Sequence, residues 1–174
     1  MGGRGKLNNC TFLFYGNNNM VHIGKNVYLS GVTFWIEDNN NSIYIGDNTT
    51  IGPQTQLAAC EGSTISIGED CMFSSSVHLR TTDSHSIVNA EGIRVNPAKD
   101  IKIGNHVWIG QDVMILKGTE MPDNCIIGAK SIVTSTPKIS NTIYCGNPAR
   151  AIKENVNWQR DKIQILGSTS TAYL

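Results

Sequence analysis

Between Ile103 and Val133 an aliphatic residue returns every six positions, at Ile103, Ile109, Ile115, Met121, Ile127 and Val133. Two positions before each next beat stands a small or branched side chain: Val107, Val113, Thr119, Cys125 and Ser131. Glycine directly follows Ile103, Ile109 and Ile127. A period of six is neither the helical 3.6 nor the simple alternation of a free strand. It predicts hexapeptide repeats, each one a short strand and a turn, with three closing a triangular coil of a parallel β-helix. Side chains alternate across a short strand, so the aliphatic and the small residue four positions on both point inward. Glycine suits the tight corner that follows. One coil cannot bury its own face, so coils stack, share a core and pair their backbones above and below.

Upstream the beat lengthens. G-N-N-N at 16–19 recurs as D-N-N-N at 38–41, and I-G pairs start at Ile23, Ile45 and Ile67, each a step of 22. The same step aligns the inward positions Val21, Ile43 and Ile65; Val27, Thr49 and Cys71; Leu29, Ile51 and Phe73; and Trp35, Leu57 and Leu79. Each unit is a coil of eighteen with four extra residues at one corner. Asparagine suits that corner because it tolerates left-handed backbone. Leu7 to Tyr15 is the end of an earlier, partial coil that caps the stack.

The next interval breaks the rule. Ile67 to Ile103 is 36 residues, fourteen beyond the step of 22, and the excess falls at about 81–100. A long loop leaving a regular solenoid orders chain without joining the core, so it needs a use over the coil surface or against a neighbouring subunit. After Val133 the beat decays. Gly146, Asn147 and Pro148 form a turn, Ala149 to Lys153 close the last coil, and 155–165 are expected as a short amphipathic helix over the open end. The division is thus a β-helix over 1–154 and a helix with a loose tail over 155–174, the last residues being S-T-S-T-A-Y-L.

Composition narrows the partners. Lys+Arg 14 against Asp+Glu 14 leaves no net charge, which argues against nucleic acid or an anionic membrane as main partner. No apolar run reaches membrane-spanning length, and M-G-G-R-G-K lacks the apolar centre of a secretory signal. Met1-Gly2 matches the start of a myristoylation signal, but Lys6 stands where Ser or Thr is wanted. Five cysteines without a C-x-x-C pair are expected as reduced thiols in a cytoplasm.

The order D-S-H-S (83–86), N-P-A-K-D (96–100), I-G-N-H-V-W-I-G (103–110), I-I-G-A-K-S-I-V-T (126–134) and G-N-P-A-R (146–150) resembles the hexapeptide-repeat acyltransferases of the left-handed parallel β-helix fold. Within them it is most similar to saccharide and xenobiotic acetyltransferases, especially O-acetyltransferases of capsular or lipopolysaccharide assembly. The resemblance covers about Gly16 to Lys153. It implies direct transfer of an acetyl group from acetyl-CoA to an acceptor hydroxyl. An alcohol attacks only as a base removes its proton, and histidine does this near neutrality. His85 matches the family's catalytic histidine. Asp83 orients that imidazole, meets the acceptor or simply shapes the loop. The backbone N–H of Gln111, just after W-I-G, matches the family's oxyanion donor.

Trp108, outward in the register of Tyr28, Thr50 and Met72, matches a residue placed beside acyl transfer, at sites that lie in clefts between subunits of a homotrimer. The resemblance runs acetyl-CoA along the later coils, with Ala129 and Thr134 at the pantetheine arm. Arg150 and Lys153 match basic residues near the nucleotide and pyrophosphate, where solvated surface charge is the other reading. Many relatives carry lysine where this chain has Ser135, with Lys130 and Lys138 nearby, so the phosphate contacts stay open. A saccharide is the expected acceptor; a xenobiotic or amino sugar is the alternative. Two rival classes exist: a zinc carbonic-anhydrase-like β-helix, which needs three histidines and finds here His22, His78, His85 and His106 without an H-x-x-x-x-H pair, and a non-catalytic scaffold. No metal is expected. Cys71 and Cys125 fall on inward beats as core thiols, which argues against a covalent cysteine route.

Overall fold

The structure, a computed structural model, describes residues 5–164, which form strands, turns and loops and no helix. Met1, Gly2 and the tail S-T-S-T-A-Y-L lie outside the described residues. The strands build three parallel faces of a prism. Face A holds Lys6–Asn8, Tyr28–Ser30, Thr50–Ile51, Met72–Phe73, Trp108–Ile109, Ile126–Ile127, Ile143–Gly146 and Ala149–Lys153. Face B holds Thr11–Tyr15, Thr33–Glu37, Gln56–Cys60, His78–Arg80, Met114–Leu116 and Ile132–Val133. Face C holds Met20–Ile23, Ser42–Ile45, Thr64–Ile67, Ile101–Ile103 and Glu120–Met121. As far as Ile132–Val133 the chain visits A, B and C in turn, so each strand pairs in parallel with its counterpart one coil away; the last two strands both lie on face A. The parallel β-helix expected from the six-residue beat is what forms.

The beat residues fill the prism. Ile109, Ile115 and Ile127 are fully buried, as are Val107, Val113, Thr119, Cys125 and Ser131. The asparagine corners are turn chemistry. Asn18 and Asn40 have φ of 56° and 63°. Asn19 Oδ1 accepts from the N–H of Asn41, and Asn41 Oδ1 accepts from the N–H of Ser63, at 2.9 and 3.0 Å. These amides therefore ladder one coil to the next in place of strand pairing.

Three expectations are corrected. Trp35 is not inward: Phe34 pairs with Leu57 and is fully buried, while Trp35 pairs with Ala58 on the outer face. The cause is a corner one residue shorter. Thr33 follows Tyr28 by five residues, whereas Gln56 follows Thr50 by six, and Gly31 at φ 60° makes the tighter turn. A one-residue shift exchanges the two sides of a strand. Second, Ala149–Lys153 do not close a coil; they fold back antiparallel on Ile143–Gly146 through a cis Asn147–Pro148 turn. Third, the C-terminal helix is absent across 155–164. Asn155 has φ 56°, and the segment is tied to the coils instead: the Val156 N–H to Asn141 O at 2.9 Å, the Trp158 ring on His106 and the Arg160 side chain on Asp70. A helix of three turns is marginal by itself, and these contacts outweigh it.

Candidate functional site

Loop 81–100 leaves the corner between faces B and C. Its feet are nailed to the coils. Thr81 is fully buried; its Oγ1 takes hydrogen bonds from the Cys60 N–H and Ser63 Oγ at 3.1 and 2.7 Å, and its carbonyl takes the Lys99 N–H at 2.9 Å. Beyond them a single buried amide organises the loop. Asn96 Nδ2 donates to Asp83 Oδ2 and to the His85 carbonyl at 2.7 and 2.8 Å. Its Oδ1 accepts the Ile87 N–H at 2.7 Å and Arg94 Nε at 3.2 Å. Lys117, from the next coil, bonds Asp83 Oδ2 and the Asn96 carbonyl, and Arg94 pairs with Glu61 at 2.8 Å. The ions are thus matched locally. Hydrogen bonds from Lys117 and then Asn96 hold the Asp83 carboxyl below its ordinary range, and those from Arg94 and then Thr82 do the same for Glu61.

His85 is exposed, its main chain gripped by Asn96. Among the described residues the Asp83 carboxylate hydrogen-bonds Asn96 and Lys117 and not the imidazole. The tip, Ile87 to Val95, is a small hairpin with Val88 bridged to Arg94 and with Ile87, Val88, Ile93 and Val95 more than half exposed.

The second constellation lies along the corner between faces A and B. Trp108 pairs with Met72 and Ile126 and is 38% exposed, outward in the register the sequence predicts. Three residues on, Gln111 is exposed, and among the described residues its N–H donates no hydrogen bond, while its carbonyl accepts the Lys130 N–H at 2.8 Å. Ala129 sits directly on this corner. A Cβ placed on Gly110 would stand 2.6 Å from the Ala129 nitrogen, so glycine is needed there.

Thr134 and Arg150 belong to the last coil and its hairpin. A cavity of about 210 Å³ there is lined by Val133, Ser135, Tyr144 and Arg150 among others. Lys153 lies on the same hairpin, opposite Ile143, and is exposed. Lys130 is engaged by Asp112 at 3.0 Å, and Lys138 lines a second cavity of about 500 Å³ with Lys102.

The C-terminal segment, missed as a contributor from sequence, reaches this region. The Trp158 ring stacks on His106 at 4.1 Å between centroids, its Nε1 donates to the His106 carbonyl at 2.9 Å, and Trp108 is 6.3 Å away. Asp70 bonds both His106 and Arg160. Burial works to raise its carboxyl, yet those two partners hold it below the ordinary range. Only the aromatic content of N-W-Q-R hinted at such packing. Burial pushes the Cys71 and Cys125 thiols up to about 11. Among the described residues, no three His, Cys, Asp or Glu side chains gather at metal-binding spacing.

The structure therefore brings Asp83 and His85 together on one corner, and Trp108, Gln111 and Ala129 on another, with Thr134, Arg150 and Lys153 at the C-terminal end. His85 and Gln111 follow different strands, His78–Arg80 on face B and Trp108–Ile109 on face A. Their corners lie at opposite ends of face B, a hexapeptide apart, or roughly 20 Å at strand rise.

Residues 100–135 match the bacterial transferase hexapeptide family (six repeats). The polysialic acid O-acetyltransferase of Neisseria meningitidis is 36% identical over 92 residues, covering 52% of this chain and 43% of that relative, so the match spans less than half of its length. Among solved structures, the polysialic acid O-acetyltransferase OatWY superposes with a TM-score of 0.69 at 31% identity, covering 97% of this chain and 93% of that one. Galactoside acetyltransferase in complex with coenzyme A gives 0.58 at 29% identity, covering 88% and 74%. Both the coil stack and its handedness, left-handed, are those of this group.

Proposed function

Because the chain belongs to the hexapeptide-repeat acyltransferases of the left-handed β-helix, we propose that it transfers the acetyl group of acetyl-CoA directly to a saccharide hydroxyl. The observation that carries this reading is the loop at 81–100: fourteen residues beyond the coil step, braced by Asn96, Lys117 and Arg94, and presenting His85 exposed with, among the described residues, only its main chain engaged. Such bracing positions a base without occupying it. The likeness to a polysialic acid O-acetyltransferase and a galactoside acetyltransferase supports the acceptor class.

In this mechanism a ring nitrogen of His85 takes the proton of the acceptor hydroxyl as its oxygen forms a bond to the thioester carbonyl. The carbonyl electron pair moves to oxygen, where the free N–H of Gln111 meets it. Collapse breaks the C–S bond, and the imidazolium returns the proton to the departing thiolate. Because His85 and Gln111 stand on separate corners of one chain, the site is completed by a second copy, as in a homotrimer. Trp108 walls the acyl group, Ala129 and Thr134 flank the pantetheine arm, and Arg150 and Lys153 meet the phosphates. Asp83 acts on the reaction through the loop, fixing His85 by way of Asn96. The expected setting is cytoplasmic, where acetyl-CoA is available; among the described residues, no helix is long and apolar enough to cross a membrane.

The test is thiol release from acetyl-CoA across a panel of oligosaccharides, nucleotide sugars, amino sugars and hydroxylated drugs, with mass analysis of the acceptor. Release coupled to O-acetylation of a saccharide is expected. Release only with a drug or an amine, or with none of the panel, contradicts the reading.

A further inference from the structure

Beside the loop, the outer side of face B carries a cavity that the acetyl-transfer machinery above does not use. Ala58 lies between two of its walls, Trp35 and Arg80. It lies on the outward side of its strand, yet is only 2% exposed, because Trp35 pairs with it on one side and Arg80 on the other. Over that covered alanine lies a cavity of about 380 Å³, lined by Trp35, Glu37, Gln56, Arg80 and Ser84. That volume falls within the usual range of small-ligand sites, about 300–1,000 Å³.

The chemistry of the lining is specific. Trp35 faces outward only because of the shortened corner at Gly31, so the indole is displaced from the core onto a polar surface. Its Nε1 donates to Glu37 Oε2 at 3.1 Å and its ring tilts against Tyr15 at 5.1 Å, which fixes the plane. Arg80 donates to Ser84 Oγ at 3.0 Å. Among the described residues it pairs with no carboxylate, whereas neighbouring Arg94 and Lys117 pair with Glu61 and Asp83. Most of its five donors are left for a ligand. An aromatic plane rimmed by a carboxylate, an amide and a guanidinium matches a pyranose, whose C–H face is apolar and whose edge is hydroxylated. Ser84 immediately precedes His85, so a sugar held here is delivered next to the proposed base.

Resting on the acetyl-transfer reading above, we propose that Trp35, Glu37, Gln56 and Arg80 form the acceptor subsite, which binds a pyranosyl unit of the saccharide. Acidic and neutral chains share that ring chemistry, and Arg80 distinguishes them. The experiment compares wild type with Trp35→Ala, Glu37→Gln and Arg80→Ala, using a sialic acid oligomer and a methyl galactoside as probes. It reads saturation-transfer NMR without acetyl-CoA, then KM for each saccharide and for acetyl-CoA. Melting curves check folding, and Glu37→Gln changes charge without changing shape. The expected result is loss of saturation transfer and a rise of tenfold or so in KM for the saccharide, about what one lost charged hydrogen bond gives, with KM for acetyl-CoA unmoved. A larger Arg80→Ala effect on the sialic acid oligomer puts a carboxylate on Arg80, and equal effects put a neutral ring there; both support the subsite. If wild type transfers to saccharide and all three variants match it, the subsite is overturned while the function stands. If wild type neither binds nor acetylates any saccharide, both fail.

Discussion

Asn96 is the residue on which the loop's order converges, and Asn96→Ala isolates it. The side chain makes four hydrogen bonds, two to charged groups (Asp83 and Arg94) and two to the main chain of His85 and Ile87. At about 1.5–3 kcal/mol for each charged partner and about 1 kcal/mol for each neutral one, the upper bound is about 5–8 kcal/mol. Asp83 and Arg94 are 42% and 35% exposed, so water re-solvates them and the net loss falls to about 2–4 kcal/mol. The cost is local, because no residue of the loop belongs to the core cluster that runs from Val27 to Tyr144. The Ile87 amide should therefore exchange roughly 30- to 700-fold faster, with global melting little changed. Transfer should fall on the order of a hundredfold through misplacement of His85. Hydrogen exchange by NMR and initial-rate assays on one preparation read both. Wild-type exchange at Ile87 together with unaltered transfer would refute the claim that Asn96 sets the loop.

Other outcomes follow from the same geometry. The Asp83 carboxyl is held low by Lys117 and Asn96. Its anchoring is therefore fully present above the unfolded value, about 3.9, and is lost as pH falls through the folded value; Lys117→Met should move the Asp83 carboxyl titration upward by NMR, and an unmoved titration contradicts the pairing. Gly110→Ala forces a Cβ to within 2.6 Å of the Ala129 nitrogen, with about 1–3 kcal/mol lost in denaturant unfolding; an unchanged midpoint would show that the corner has room. Iodoacetamide at pH 8 should leave Cys71 and Cys125, thiols near 11, unlabelled in the folded protein, and mass mapping of either adduct contradicts this. Co-refolding inactive His85→Ala with inactive Gln111→Pro should restore activity if two copies complete each site; no recovery in hybrid assemblies would argue for a site within one chain.

The coils were legible because a period of six leaves its mark on every beat, from Ile103 to Val133. Trp35 was misplaced because a step of 22 constrains only the whole coil. A residue removed at the Gly31 corner and returned at the asparagine corner leaves the total unchanged and reverses the strand between. The C-terminal segment was misread for a related reason: a helix is a local pattern, whereas Trp158 on His106 and Arg160 on Asp70 join positions 52 and 90 residues apart. The loop was visible as surplus length and His85 as its motif. Its bracing was not, since nothing in N-P-A-K-D says that one amide will hold four partners, or that Lys117 comes from the next coil.

The most direct measurement is single-turnover acetyl transfer, following thiol release from acetyl-CoA with and without a saccharide acceptor, in wild type and in His85→Ala. The account predicts no thiol burst without acceptor, one acetyl ester formed per thiol released with it, and a loss of at least about a hundredfold in His85→Ala. A burst without acceptor, or a His85→Ala rate equal to wild type, would contradict direct transfer by a histidine base.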